Sequence, residues 1–242
     1  MKPYIVGAIF ARGGSRGVPR KNLRFLAGKS LLGHAIDVAA QVPLLDRVIV
    51  STDDPEIARV AKQHGAEVPF TRPAELAFDD SPEWLAWRHA IETLEKIDGR
   101  RMDLLVTVPT TSPLRIASDV TACIQRLLET DCDVVITVTP ASRNPYFNMV
   151  MLDQDRARLL MASTEVVHRR QSAPTVFDIT TVAYAAKASF VLAAESMFDG
   201  DIRAVVVPPE RALDIDTEHD LHLAEALLRL GDHQSENSPG AF

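Results

Sequence analysis

Three groups of residues in this 242-residue chain have types and spacings that could do chemistry. The first is a loop, Ala11 to Asn22, in which Gly13, Gly14 and Gly17 stand among Arg12, Arg16, Arg20 and Lys21. No Asp or Glu occurs before Asp37, whereas Lys2, Arg24 and Lys29 add further positive charge to the same stretch. Glycines let backbone N–H groups approach an anion closely, and the cations can offset the charge of a triphosphate. The combination points to phosphate binding; a flexible turn with a solvated cationic face is the plainer alternative. The second group is Asp214 and Asp216. Two residues apart in an extended segment, both carboxylates could face one cation, and oxygen ligands of this kind suit Mg2+. Alternatively Asp216 or Thr217 only caps the helix that follows. The third group is Arg169 and Arg170, with His168 and Gln171, where arginine's fork could take a substrate carboxylate or simply form an exposed, salt-bridged strand.

Two better-known phosphate loops do not fit. Gly13-Gly14-Ser15-Arg16-Gly17 lacks the GxGxxG spacing of a nicotinamide site, and Gly28-Lys29-Ser30 has Leu23 where a P-loop needs its first glycine. The seven histidines show no zinc spacing. Trp84 and Trp87 suit the packed face of a helix, in a core or an interface, better than a base-stacking platform.

The elements that must position these groups alternate in type. Apolar segments rich in β-branched residues, at Tyr4–Phe10, Arg47–Ser51, Asp103–Val108, Asp133–Thr139, Thr180–Ala185 and Ala204–Val207, read as mostly buried strands. Helix signals lie between them: Ser30, Asp54-Pro55 and Ser81-Pro82 each precede an amphipathic stretch, and Ile116–Thr130 and Thr217–Leu230 supply two more. This alternation predicts an α/β fold built on a mainly parallel sheet, with ligands beyond the strands' carboxyl ends. Residues 140–176 break the rhythm as an excursion that could contact another subunit. Residues 1–231 are expected to form a single domain, and 232–242 a flexible polar tail.

A net charge of −7 argues against broad affinity for nucleic acid or acidic membranes. No apolar run approaches the roughly 20 residues of a membrane span, and the beginning of the chain lacks a signal peptide's pattern, so a soluble, cytoplasmic protein is expected. Cys123 and Cys132 show no metal-site or redox spacing and read as reduced thiols.

The segment ARGGSRGVPRKNL is similar to the signature opening of the acylneuraminate cytidylyltransferases, the CMP-sialic acid synthetases and their relatives. Ser51-Thr52-Asp53-Asp54, the loop Arg72 to Ala77, Thr111-Ser112-Pro113-Leu114-Arg115, Arg170-Gln171 and Asp214-Ile215-Asp216 follow in the family's order, so the resemblance covers residues 4–230. It implies a Rossmann-like nucleotide-diphospho-sugar transferase fold, usually dimeric through an excursion like residues 140–176. The implied activity joins CTP to a nine-carbon or related sugar acid, giving a CMP-sugar and pyrophosphate. By position it assigns Arg12, Gly13, Gly14, Ser15, Arg16, Lys21, Asn22, Arg72 and Ser81 to the nucleotide, with Asp79 close by. It assigns Thr111, Ser112, Arg115, Arg170, Gln171, Thr181 and Tyr184 to the sugar, and Asp214 and Asp216 to catalytic Mg2+. Arg12 and Lys21 would share the catalysis. A metal-bound hydroxide and Asp216 are both candidates for the base. Three departures stand out: Arg16 replaces a common lysine, Pro109 a glutamine, and Thr180-Thr181 an asparagine and glycine. The last two fall on the sugar side and predict altered acceptor choice.

Overall fold

The computed structural model describes residues 2–15, 17–161 and 169–236, with the backbone alone for Arg170 and residues 231–236. In chain order the elements are β1 (Ile5–Phe10), β2 (Phe25–Leu26), β3 (Lys29–Ser30), α1 (Leu31–Ala40), β4 (Arg47–Ser51), α2 (Pro55–Gln63), α3 (Glu83–Asp98) and β5 (Leu104–Thr107). There follow α4 (Ala117–Thr130), β6 (Val134–Pro140), β7 (Val150–Asp153), β8 (Arg156–Leu159), β9 (Phe177–Lys187), α5 (Ala188–Ala193), β10 (Ile202–Val206) and α6 (Glu218–Glu236).

Six strands form the central sheet in the order β10-β6-β9-β5-β1-β4. β1 runs parallel to β4 and β5, and β10 runs parallel to β6. β9 lies antiparallel between β5 and β6, which makes the sheet mixed at its centre. The strand period of two sorts the core. Ile5 and Ile9 of β1 pack on one face with Leu32, Ile36, Ile57 and Ile124 from α1, α2 and α4. Val6 and Ala8 pack on the other face with Trp84, Trp87, Ile91 and Leu94 of α3. Both cysteines are buried and free.

Local chemistry sets several helix starts. The Ser30 hydroxyl accepts the Gly33 N–H at 3.0 Å, and the Asp54 carboxylate accepts the N–H groups of Glu56 and Ile57 ahead of Pro55. Ser81 differs from its expected role, because its hydroxyl donates to the Glu75 carbonyl at 2.6 Å and Pro82 takes the cap position. α6 runs to Glu236, beyond the point where the tail is expected to begin; residues 237–242 lie outside the described part. Within the excursion, β7 and β8 pair as an exposed hairpin.

Candidate active site

The parallel strands β1, β4 and β5 place the loops after them along one edge of the sheet. Because β9 pairs Tyr184 with Thr107 at the end of β5 and runs the opposite way, its residues before Tyr184 project past that edge. Thr181 and Tyr184 therefore stand beside the loop that follows β5. The result is a cavity of about 910 Å³ whose walls include Arg12, Ser15, Lys21, Asn22, Arg72, Ser81, Thr111, Thr181, Tyr184, Asp214 and Asp216.

The Ala11–Asn22 loop is anchored at both ends. Gly13 N–H donates to Asp53 Oδ1 at 3.1 Å, and the buried Asn22 amide donates to the Arg12 carbonyl at 2.8 Å. The Thr110 hydroxyl in turn donates to Asn22 Oδ1 at 2.5 Å, tying the loop to the exit of β5. Gly17 lies against the second carboxylate segment: a Cβ there would sit 2.2 Å from the Asp216 carbonyl oxygen. Only glycine fits that approach. Gly14 faces open space, and neither it nor Gly13 belongs to the cavity wall. Arg16 lies outside the described residues.

The positive charge that is unopposed along the sequence is opposed in space. Lys2 pairs with Asp46, Arg12 with Asp79, Arg20 with Glu56, Lys21 with Asp216, Arg24 with Glu218 and Lys29 with Asp37. Folding brings these acids from distant segments, so the absence of acids before Asp37 does not leave the described cations bare. Arg72 is held differently: it is buried, its guanidinium donates to the Ser51 hydroxyl and carbonyl, and its charge lies 5.7 Å from the Phe10 ring centre. Burial lowers its pKa, partly countered by Asp53 and Glu83.

Asp214 and Asp216 both line the cavity, while Ile215 between them is fully buried against Leu26, Leu31 and Leu221. This is the expected alternation of an extended segment. The capping reading divides between two residues. The Thr217 hydroxyl accepts the Asp220 N–H at 3.3 Å and the Asp220 carboxylate accepts the N–H groups of Asp216 and Thr217, so the Asp216 carboxylate is left to Lys21 at 3.0 Å. Among the described residues no group of three or more His, Cys, Asp or Glu is arranged to hold a metal ion.

Next to Asp214, Thr111 and Thr181 reach the cavity, whereas Ser112 and Arg115 are buried behind it. The Arg115 guanidinium donates to the Pro109 carbonyl; burial pulls its pKa down to about 9, countered by Asp119 and Asp214. The Thr180 hydroxyl donates to Thr137 Oγ1 at 2.7 Å inside the sheet. Gln171 is exposed and outside the cavity wall, and the Arg170 side chain and His168 lie outside the described residues. The sequence reading missed Glu83. Its carboxyl faces the cavity, with Oε1 accepting the Trp87 indole N–H at 3.1 Å. Crowding by surrounding protein raises its pKa, opposed by Trp87, Arg72 and Arg12. The four-residue spacing of Glu83 and Trp87 on one helix face was the available signal. Trp84 and Trp87 pack in the core as expected and also wall the cavity. Tyr184 lies 5.9 Å from Trp87, and burial, then Glu83 and Asp214, push its pKa up to about 12.

Known proteins resemble this chain over most of its length. The chain is 32% identical over 225 residues to the post-translational flagellin modification protein B of Campylobacter coli, covering 93% of this chain and 95% of that one. It is 33% identical over 226 residues to the CMP-N,N'-diacetyllegionaminic acid synthase of Campylobacter jejuni, covering 93% and 95% of the two chains. Among solved structures, the CMP:2-keto-3-deoxy-manno-octonic acid synthetase complexed with CTP superposes with a TM-score of 0.70 at 21% identity, over 94% of this chain and 99% of that one, a likeness of fold. The profile of the cytidylyltransferase family matches residues 6–229, nearly the whole chain, and places this chain in that family.

Proposed function

We propose that the chain transfers the cytidylyl group of CTP to the anomeric hydroxyl of a nine-carbon, 3-deoxy sugar acid of the legionaminate type. The observation that carries this reading is a single cavity lined by Arg12 and Lys21, by Asp214 and Asp216 with Thr111 and Thr181 next to Asp214, and by Trp87 and Tyr184. The cations suit a triphosphate; the rest of the cavity, toward Tyr184, has room for a polyhydroxylated acceptor. The diacetyllegionaminate-forming relative, similar over nearly the whole chain, supports the acceptor class. Pro109, which has no amide to offer, and Thr180, whose hydroxyl is spent inside the sheet, depart from the neuraminate-type pattern without selecting among the other acids.

In this reading Arg12 and Lys21 hold the phosphates, and the sugar hydroxyl's oxygen bonds to the α-phosphorus as the bond to the pyrophosphate oxygen breaks. The hydroxyl proton leaves to a base in the Asp214–Asp216 region. Mg2+ needs only one or two protein carboxylates with substrate phosphates and waters, so Asp214 and Asp216 fit it without a third acid. Bound there, it would supply charge stabilisation at the reacting phosphate. The residues themselves position and neutralise; no covalent intermediate is needed. The exposed excursion supports a homodimer. Among the described residues no helix is long and apolar enough to cross a membrane, which supports a cytoplasmic enzyme with small-molecule partners.

Pyrophosphate release from CTP and Mg2+ is the test, run with a panel of legionaminate-, pseudaminate-, neuraminate- and octulosonate-type acids and a sugar 1-phosphate. Release is expected with a legionaminate-type acid and absent with the 1-phosphate. Asp214→Asn should lower turnover about a hundredfold or more with the fold intact. Binding of CTP without release across the panel would overturn the proposal in favour of a nucleotide-binding protein without catalysis.

A further inference from the structure

One oxygen in the cavity wall has every bonding position taken. Thr181 Oγ1 lies 3.0 Å from Thr111 Oγ1, 2.7 Å from Ser112 Oγ and 2.9 Å from Asp214 Oδ1. A hydroxyl has one proton and two lone pairs, and an ionised carboxylate only accepts. The proton of Thr181 must then go to Asp214, and the Thr111 and Ser112 hydroxyls must both donate to Thr181. The three hydroxyls form a set with one proton order. The Thr111 carbonyl also accepts the Ile215 N–H at 2.8 Å, so backbone and side chains fix the same segment. Behind them lies the buried Arg115, 3% exposed, whose Nη2 reaches toward the Thr181 carbonyl at 3.5 Å. Among the described residues, Asp214 Oδ2 has no hydrogen bond.

We propose that Thr181 is a positioning residue: its hydroxyl, locked by Thr111 and Ser112, holds Asp214 Oδ1 so that Oδ2 is presented to a divalent cation. Thr111, Ser112 and Thr181 thus act through the carboxylate and not as sugar contacts. This rests on the reading of Asp214 as a cation ligand, and the experiment separates the two. Mn2+ is titrated into the full chain with CTP and without acceptor, and free Mn2+ is followed by electron paramagnetic resonance. Thr181→Val keeps the shape and removes the hydroxyl; it should bind Mn2+ about tenfold more weakly, the scale of one hydrogen bond to a charged group. Its kcat should fall by a similar factor while its KM for the sugar acid stays near wild type. Thr181→Ser should restore both to within about threefold, and Thr181→Ala stands in if the valine variant does not fold. A hydroxyl-free variant with wild-type Mn2+ binding, or failure of serine to rescue, overturns the inference. If Asp214→Asn binds Mn2+ as wild type does, the cation-ligand reading fails and the inference falls with it.

Discussion

Glu83 is an exposed carboxylate on a cavity wall shared with Asp79, Asp214 and Asp216, and its environment disfavours the charge in part. Its pKa in the fold lies above the usual value of 4.5, chiefly because protein crowds it. Its sign is therefore opposite to that of a salt-bridged acid: full stability is present below the unfolded-state pKa and is lost as pH rises through the folded one. Glu83→Gln keeps an acceptor for the Trp87 indole and removes the charge. Because Glu83 is exposed and solvent screens its charge, the variant's thermal midpoint should exceed that of the wild type only slightly at about pH 7.5 and match it at about pH 4; a lower midpoint than wild type at about pH 7.5 would refute the charge penalty. At this scale the sequence was legible where chemistry is local. Asp214 and Asp216 alternate with Ile215 as their spacing predicts, and Arg12, Lys21 and Asn22 reach the cavity. Glu83 was legible only as a neighbour of Trp87 on one helix face, because nothing in the sequence says that the start of α3 faces the loop after β1.

Among the elements, the glycine loop shows a division of labour that its spacing does not reveal. Gly17 is required by the carbonyl of Asp216, close to 200 residues further along the chain, whereas Gly14 meets nothing. Gly17→Ala should lower the thermal midpoint by roughly 3 to 10 °C and cut kcat/KM on the order of a hundredfold by displacing the loop from the carboxylates. Gly14→Ala should leave the midpoint within about 1 °C. Equal effects of the two would contradict the docking. The segment Thr111 to Arg115 is similar in kind: its type is plain from sequence, but Ser112 and Arg115 turn inward behind the wall. Both cases depend on contacts between distant segments, which periodicity does not encode. The helices were the most legible elements, since Ser30 and Asp54 cap them through bonds to the next few residues.

For the whole molecule, strand alternation gave the α/β class and the edge that carries the site, while the antiparallel β9 at the centre of the sheet escaped it, because buried strands of either direction read alike. The excursion carries Val150, Leu152 and Leu159 exposed on the β7–β8 hairpin, at 55%, 69% and 47%. Leu152→Asp with Val150→Asp should convert a dimer to monomer in sedimentation equilibrium, and a wild-type chain that sediments as a monomer would remove the dimer proposal. The ion pairs at the mouth of the cavity have a consequence of a different kind. Arg12 and Lys21 are already matched, by Asp79 and Asp216, so an arriving polyphosphate meets an occupied exchanger and not a bare cationic surface. In the proposed reaction its entry would trade carboxylate for phosphate at each cation, with little net change in paired charge and a shallow dependence on ionic strength. Asp216, so displaced, would stand beside Asp214, and loading the proposed anion would itself vacate a place for a cation.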